Sequence, residues 1–227
     1  MSELQENLTR IRSRIDQACE RSDRQPDSVR LMAVSKNQPP ERVAEAASAG
    51  LTLFGENRIQ EAKVKIPLCP SQLEWHFIGH LQSNKSRDAV SLFQVVQGVD
   101  SLALAEELQK QAIKQARSLP ILLEINVAGE SSKFGWNPER LLGELLELNT
   151  LSRLEIHGLM TIAPYSEDPE RARPVFRRLR ELRDRCADLL GAPLPVLSMG
   201  MSGDYLKAID FGSSFIRIGS LIFGDRK

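Results

Sequence analysis

The chain of 227 residues carries 30 basic and 30 acidic side chains and is 41% hydrophobic, enough for one large core and without a net field toward nucleic acid or an anionic membrane. Cys19, Cys69 and Cys186 are scattered, form no CxxC pair and fit a reducing compartment, and no apolar leader or membrane-length run interrupts the sequence. A soluble cytoplasmic monomer forming one domain over residues 1–227 is expected, with no nucleic-acid or membrane partner.

Residues 3–21 place Leu4, Leu8, Ile11, Ile15 and Ala18 at helical spacing, which predicts an extra amphipathic helix ahead of the first strand. VRLMAVSK (29–36) follows, apolar on both alternating sets, the pattern of a strand covered on both faces in a parallel sheet. Pro39 and Pro40 suit a helix start and Gly50 its end. The alternation continues with LTLFGE (51–56) and a helix over 57–65, then EWHFIGHL (74–81) and a helix from about residue 84. VVQGVD (95–100) precedes a helix over 101–117 that pairs Glu106 with Lys110, and ILLEINVAG (121–129) precedes one capped by Asn137, with Pro138 in its first turn. LEIHGLMTIA (154–163) is the sixth strand. Pro174 forces the next helix to begin near residue 173 and run to about 190, with Arg177 and Arg185 flanking Glu181 on a charge-paired face. PVLSMGMS (195–202), a short helix over 203–209 and SFIRIGS (214–220) complete the chain.

Eight strands alternating with helices predict an α/β fold, a single (β/α)8 TIM barrel; a doubly wound open sheet shares the local signature. Length favours closure. So does the gathering of polar and glycine positions at strand ends: Lys36, Asn57, His80, Asn126, Met160-Thr161, residues 198–202 and residues 217–220.

Lys36 ends a buried strand, where a partly desolvated amine can form a Schiff base with a carbonyl; the alternative is a surface lysine just past a strand. SMGMSGD and RIGS combine glycines with Ser198, Ser202 and Ser220 after the last two strands, where barrels often bind phosphate, although Gly and Ser are also common in turns. A Schiff-base lysine facing a phosphate site suits pyridoxal phosphate, with Arg217 at the pyridine nitrogen or else in a structural ion pair. His76 and His80 share a strand face without a third ligand, so no metal is expected, and Glu56, Glu124 and His157 read as structural groups within strands.

AVSK (33–36), FGENRIQE (54–61), WHFIGHLQSNK (75–85), GLM (158–160), LSMGMSGD (197–204) and RIGSLIFG (217–224) together closely resemble the pyridoxal phosphate homeostasis proteins. The resemblance spans nearly the whole chain. It implies a barrel similar to the N-terminal domain of bacterial alanine racemase, with Lys36 carrying pyridoxal 5'-phosphate as an aldimine. It also implies cofactor contacts from Asn57, from the loop of Ser198, Met199, Gly200 and Ser202, and from Arg217, Gly219 and Ser220. Ser220 stands where many relatives have threonine and keeps the hydroxyl. Family members are described as cofactor carriers or regulators of vitamin B6 and amino-acid balance without established turnover, so PLP-dependent apoenzymes are implied partners. Two further readings use the same residues: an amino-acid racemase, for which the chain ends at Lys227 before any domain bringing a second base, and a cofactor-free Schiff-base aldolase.

Overall fold

The structure is a computed structural model that describes residues 2–130 and 133–224. Its centre is a closed barrel of eight parallel strands, β1 (Arg30–Val34), β2 (Leu53–Glu56), β3 (Glu74–Phe77), β4 (Val95–Val99), β5 (Leu119–Glu124), β6 (Leu154–Met160), β7 (Val196–Ser198) and β8 (Phe215–Ile218), paired in chain order with β8 returning beside β1. The extra N-terminal helix, α1 (Glu3–Arg21), begins at a capping box between Ser2 and Gln5 and buries Leu4, Leu8, Ile11, Ile15 and Ala18. The outer helices are α2 (Pro40–Ser48), α3 (Ile59–Lys65), α4 (Ser86–Leu92), α5 (Leu102–Lys114), α6 (Pro138–Leu148), α7 (Arg173–Leu190), α8 (Tyr205–Asp210) and α9 (Ser220–Phe223).

Strand alternation divides the core in two. One set packs against the helices in a continuous apolar layer that includes Ala33, Phe54, Phe77, Ile121, Leu197 and Ile216. The other points into the barrel, where Met32, Leu53 and Phe215 pack with Ile78 and Val196. The register aligns Met32 with Arg217 and Glu124 with Met160, so Arg217 and Glu124 share the interior set. The same alternation carried past β1 brings Lys36 to the carboxyl end of the barrel.

All eight strands are found, several of them shorter than the apolar runs suggest. The fifth starts two residues earlier and stops at Glu124 rather than 129, because Trp136 N donates to Glu124 O at 2.7 Å and Asn126 N to Trp136 O at 3.0 Å, folding the chain back on itself. The third ends at Phe77, where Gly79 lies against the backbone of Asn57 so closely that a Cβ would stand 2.5 Å from Asn57 O. The eighth ends at Ile218, and Ser220 opens a helix instead of ending a strand. Two surface pairings also differ: Lys110 pairs with Glu107 rather than Glu106, and Arg185 with Glu139 of α6 rather than Glu181, while Arg177 lies over the Phe211 ring. The seventh helix begins at Arg173, with Pro174 in its first turn where no amide donor is needed.

Barrel closure can be probed at Gly158, where an added Cβ would lie 1.9 Å from Val196 O on the neighbouring strand. Gly158→Ala should cost about 1–3 kcal/mol in urea unfolding, because strand backbone cannot move aside cheaply. Gly143→Ala, in α6 with nothing within 4 Å of the new Cβ, should stabilise by about 0.5–1 kcal/mol in the same measurement.

Candidate functional site

A cavity of about 710 Å³ opens at the carboxyl ends of the strands and brings together Lys36, Asn57, Ser202, Arg217, Gly219 and Ser220. Three residues expected with them are not on its wall. Ser198 is fully buried with its hydroxyl engaged inside the barrel, Met199 belongs to the apolar layer outside the strands, and Gly200 turns the chain at φ +93° with no room for a Cβ against Ala208 and Tyr205. A second cavity, about 750 Å³, lies at the opposite end around Arg30, Glu74 and Phe215, and no lysine lines it.

The backbone on both sides of Lys36 is tied to a buried charge cluster. Lys65, the last residue of α3, donates to Ser35 O at 2.7 Å, to Glu56 Oε1 at 2.8 Å and to Glu61 Oε1 at 2.5 Å. Ser35 Oγ donates to the same Glu56 oxygen, and Asn37 N donates to Glu61 Oε1 at 2.6 Å. Asn37 sits at φ +62°, a left-handed conformation asparagine tolerates better than most residues. Burial pushes the Glu56 carboxyl up against the opposing pull of Lys65 and Ser35. The turn presenting Lys36 is therefore held from beneath by side chains of β2 and α3.

Arg217 is equally constrained. Its NH1 donates to Ser198 Oγ at 2.7 Å and its NH2 to Thr161 O at 2.8 Å. Ser198 Oγ donates to Gln97 Oε1 at 2.6 Å, Gln97 Nε2 lies 2.8 Å from His76 Nδ1, and His76 Nε2 lies 2.7 Å from Glu74 Oε1, which also receives Arg30. Burial lowers Arg217 to about 10 and draws His76 down as well. The His76 hydrogen bond, with Arg30, holds Glu74 at about 2. Asp204 Oδ1 accepts Met201 N at 2.6 Å, and Ser220 Oγ donates to Ser202 Oγ at 3.2 Å; the amides of Ser202 and Gly203 have no backbone or side-chain acceptor among the described residues.

Of the remaining strand-end groups, Asn126 ties its own loop through Glu130 and Lys133, and Thr161 Oγ donates to Ile125 O. Glu56 is structural as expected. Glu124, in contrast, lines the mouth with its carboxyl pushed up to about 7 by burial and by Asp100. Gln97 and Lys65 did not stand out. The signal for Gln97 was a polar residue inside the apolar run VVQGV, whereas Lys65 reads as an ordinary helix-surface lysine.

The alanine racemase N-terminal domain model matches residues 6–227. The pyridoxal phosphate homeostasis protein of Aquifex aeolicus is 45% identical over 98% of both chains, and that of Pseudomonas aeruginosa is 42% identical over 100% of this chain and 97% of its own. Among solved structures, PipY of Synechococcus elongatus with PLP bound superposes with a TM-score of 0.86 at 38% identity, covering 97% of this chain and all of PipY. The alanine racemase of Clostridium difficile shares the fold at a TM-score of 0.77 and 15% identity over 57% of its length.

Lys65→Met should cost about 3–5 kcal/mol in urea unfolding, since it leaves Glu56 buried without its cation. Adding Glu56→Gln to that variant should recover part of the loss; full additivity of the two changes would show that the pair does not interact.

Proposed function

Since the chain belongs to the pyridoxal phosphate homeostasis proteins, on the alanine racemase N-terminal domain fold, we propose that it holds pyridoxal 5'-phosphate covalently through Lys36 at the mouth of the barrel and serves intracellular vitamin B6 and amino-acid balance. The observation that carries this reading is that Lys36, Arg217 and both serine-glycine turns line one cavity. In this reading residues 1–227 act as one cofactor-binding domain, a monomer working in the cytoplasm that exchanges cofactor with PLP-dependent apoenzymes.

The residues present fit the group. The mouth offers a primary amine, two hydroxyls on adjacent turns, turn amides without acceptors, and a guanidinium with donors left over after Ser198 and Thr161 are served. When bound, the cofactor supplies an aldehyde that condenses with an amine and a phosphate dianion that needs donors. Lys36 provides the amine, and its turn is held so that Nζ meets the cavity from a fixed backbone. Ser202, Gly203 and Ser220 take the phosphate with hydroxyls and amides, and Gly219 keeps their backbone close, since a Cβ there would stand 3.3 Å from Val34 O. Asn57 would help hold the group from the β2 side of the cavity. Ser198 contributes through Arg217, and Met199 and Gly200 through the turn they form. Arg217, a donor only, keeps a proton off any ring nitrogen set against it, because a second positive charge there is unfavourable. That weakens carbanion chemistry and favours holding over turnover.

Purified protein should be yellow and Lys36→Ala colourless. Borohydride should fix the chromophore on the Lys36 peptide; an adduct on Lys85, Lys133 or Lys207 instead would overturn the assignment. Pyridoxal, which lacks the phosphate, should be retained far less well than pyridoxal phosphate, and a colourless wild-type protein would favour the aldolase reading.

With L-amino acids, production of D-isomers or keto acids should stay well below about one per second, the lower end of ordinary enzyme rates. Sustained turnover at or above that rate would replace the carrier reading with the racemase one.

A further inference from the structure

The mouth has two unlike walls. Lys36, Asn57, Ser202, Arg217, Gly219 and Ser220 all come from the β7, β8, β1 and β2 side, whereas Glu124 ends β5 and Ile78, His80, Phe134, Ile162 and Tyr165 lie in the loops that follow β3, β5 and β6. In a closed ring of eight, β5 stands opposite β1, so Glu124 lies across the mouth from Lys36. The cations and turn donors of the first wall suit an anion. The second wall carries a carboxyl among apolar groups.

Glu124 is only 7% exposed, and its Oε2 has no hydrogen-bond partner among the described residues. A carboxyl this buried is ordinarily paired; here Oε2 is sealed against the barrel wall beside Gly98, and the little exposure that is left faces the cavity. The charged groups around it are otherwise engaged. Asp100 Oδ2 lies 2.9 Å from His80 Nδ1, His80 is stacked on Phe134 with ring centres 3.6 Å apart, and Arg217 acts on the carboxyl through its charge while it donates to Ser198 and Thr161. Lys133 shares a smaller cavity of about 160 Å³ with Glu124, yet its ammonium lies 2.7 Å from Glu130. Around the carboxyl, Phe134, Ile162 and Tyr165 are 57%, 38% and 93% exposed, an unusual display of large apolar groups at one rim.

We propose that this wall is a second-ligand subsite for a primary ammonium compound with an apolar side group, its ammonium seated on Glu124 and its side group against Ile78, Phe134 and Ile162. An anion would be drawn to the opposite wall, and a neutral ligand would leave the carboxyl without its ion partner. A cation on the cavity side of the carboxyl suits its negative charge, and an apolar side group suits the rim. Binding favours the ionised carboxyl, so uptake near neutral pH releases a proton from Glu124 to solvent. The subsite rests on the cofactor reading only in leaving the Lys36 wall to the cofactor.

The probe is 3-methylbutylamine, titrated calorimetrically into cofactor-free protein and into protein whose cofactor has been fixed on Lys36 with borohydride, so that no amine exchange can occur. The amine should bind both forms, and more tightly than 3-methylbutanol or 4-methylpentanoate. Its affinity should rise about tenfold from pH 6 to pH 8.5, as Glu124 ionises while the amine stays charged. Glu124→Gln should abolish both the amine preference and the pH dependence, and His80→Asn should keep both. A pH-independent affinity, equal binding of the alcohol, a pH dependence that is lost with His80, or binding that cofactor loading eliminates would each overturn the subsite. If borohydride fixes no cofactor on Lys36, the cofactor reading fails, and the titration of cofactor-free protein still decides whether Glu124 holds an amine.

Discussion

Arg217 is a full cation only 4% exposed inside the barrel, and accommodating it constrains much of the interior. A guanidinium only donates and a carboxylate only accepts, so the chain between Arg217 and Glu74 can run one way. Ser198 gives its proton to Gln97, the Gln97 amide gives one to His76 Nδ1, and His76 gives its Nε2 proton to Glu74. This network assigns His76 as the neutral Nε2–H tautomer, which agrees with burial drawing its pKa down. A polar thread thus crosses a barrel whose interior also holds the apolar cluster of Met32, Leu53, Phe215, Ile78 and Val196.

The turn of Lys36 is supported on a different principle. Around Lys36 the ties are to backbone: Ser35 O and Asn37 N are held by Lys65 and Glu61, which are bonded to each other, and Glu56 accepts from both Lys65 and Ser35 Oγ. Buried ion pairs contribute little net stability, but losing one partner is costly, so such a cluster resists rearrangement. The turn that carries Lys36 and the guanidinium that faces the same cavity are each fixed by groups that do not themselves line it. The opposite wall of the cavity carries Glu124 and its apolar rim.

Much of this was legible from alternation and punctuation. Lys36 lies two and four residues beyond Val34 and Met32, both of the interior set, so its place over the mouth follows from strand parity alone. The turns holding Ser202 and Ser220 announce themselves by glycines after apolar runs. Ser198 belongs to the same motif as Ser202, yet it is still within β7 and so lies inside the barrel, bonded to Gln97, a difference the motif alone does not mark. Strand ends were overrun at Ile78, Ile125 and Ile162, since an apolar loop residue at the mouth looks the same in sequence as one more strand residue.

The sequence by itself determined the succession of eight strands and their helices, the start of α7 at Arg173, just before Pro174, the lysine at the end of the first strand and the family to which the motifs belong. These depend on periodicity and on chemistry acting over a few neighbouring residues. Only the tertiary structure decided which polar groups meet. Ser198 reaches Gln97 across 101 positions, Arg217 reaches Thr161 across 56 and Lys65 reaches Ser35 across 30. It also decided that Glu124, on the strand opposite the one that leads to Lys36, keeps an Oε2 with no hydrogen-bond partner among the described residues. Closing the ring sets those distances, and no local pattern records which side chains a closed ring brings face to face.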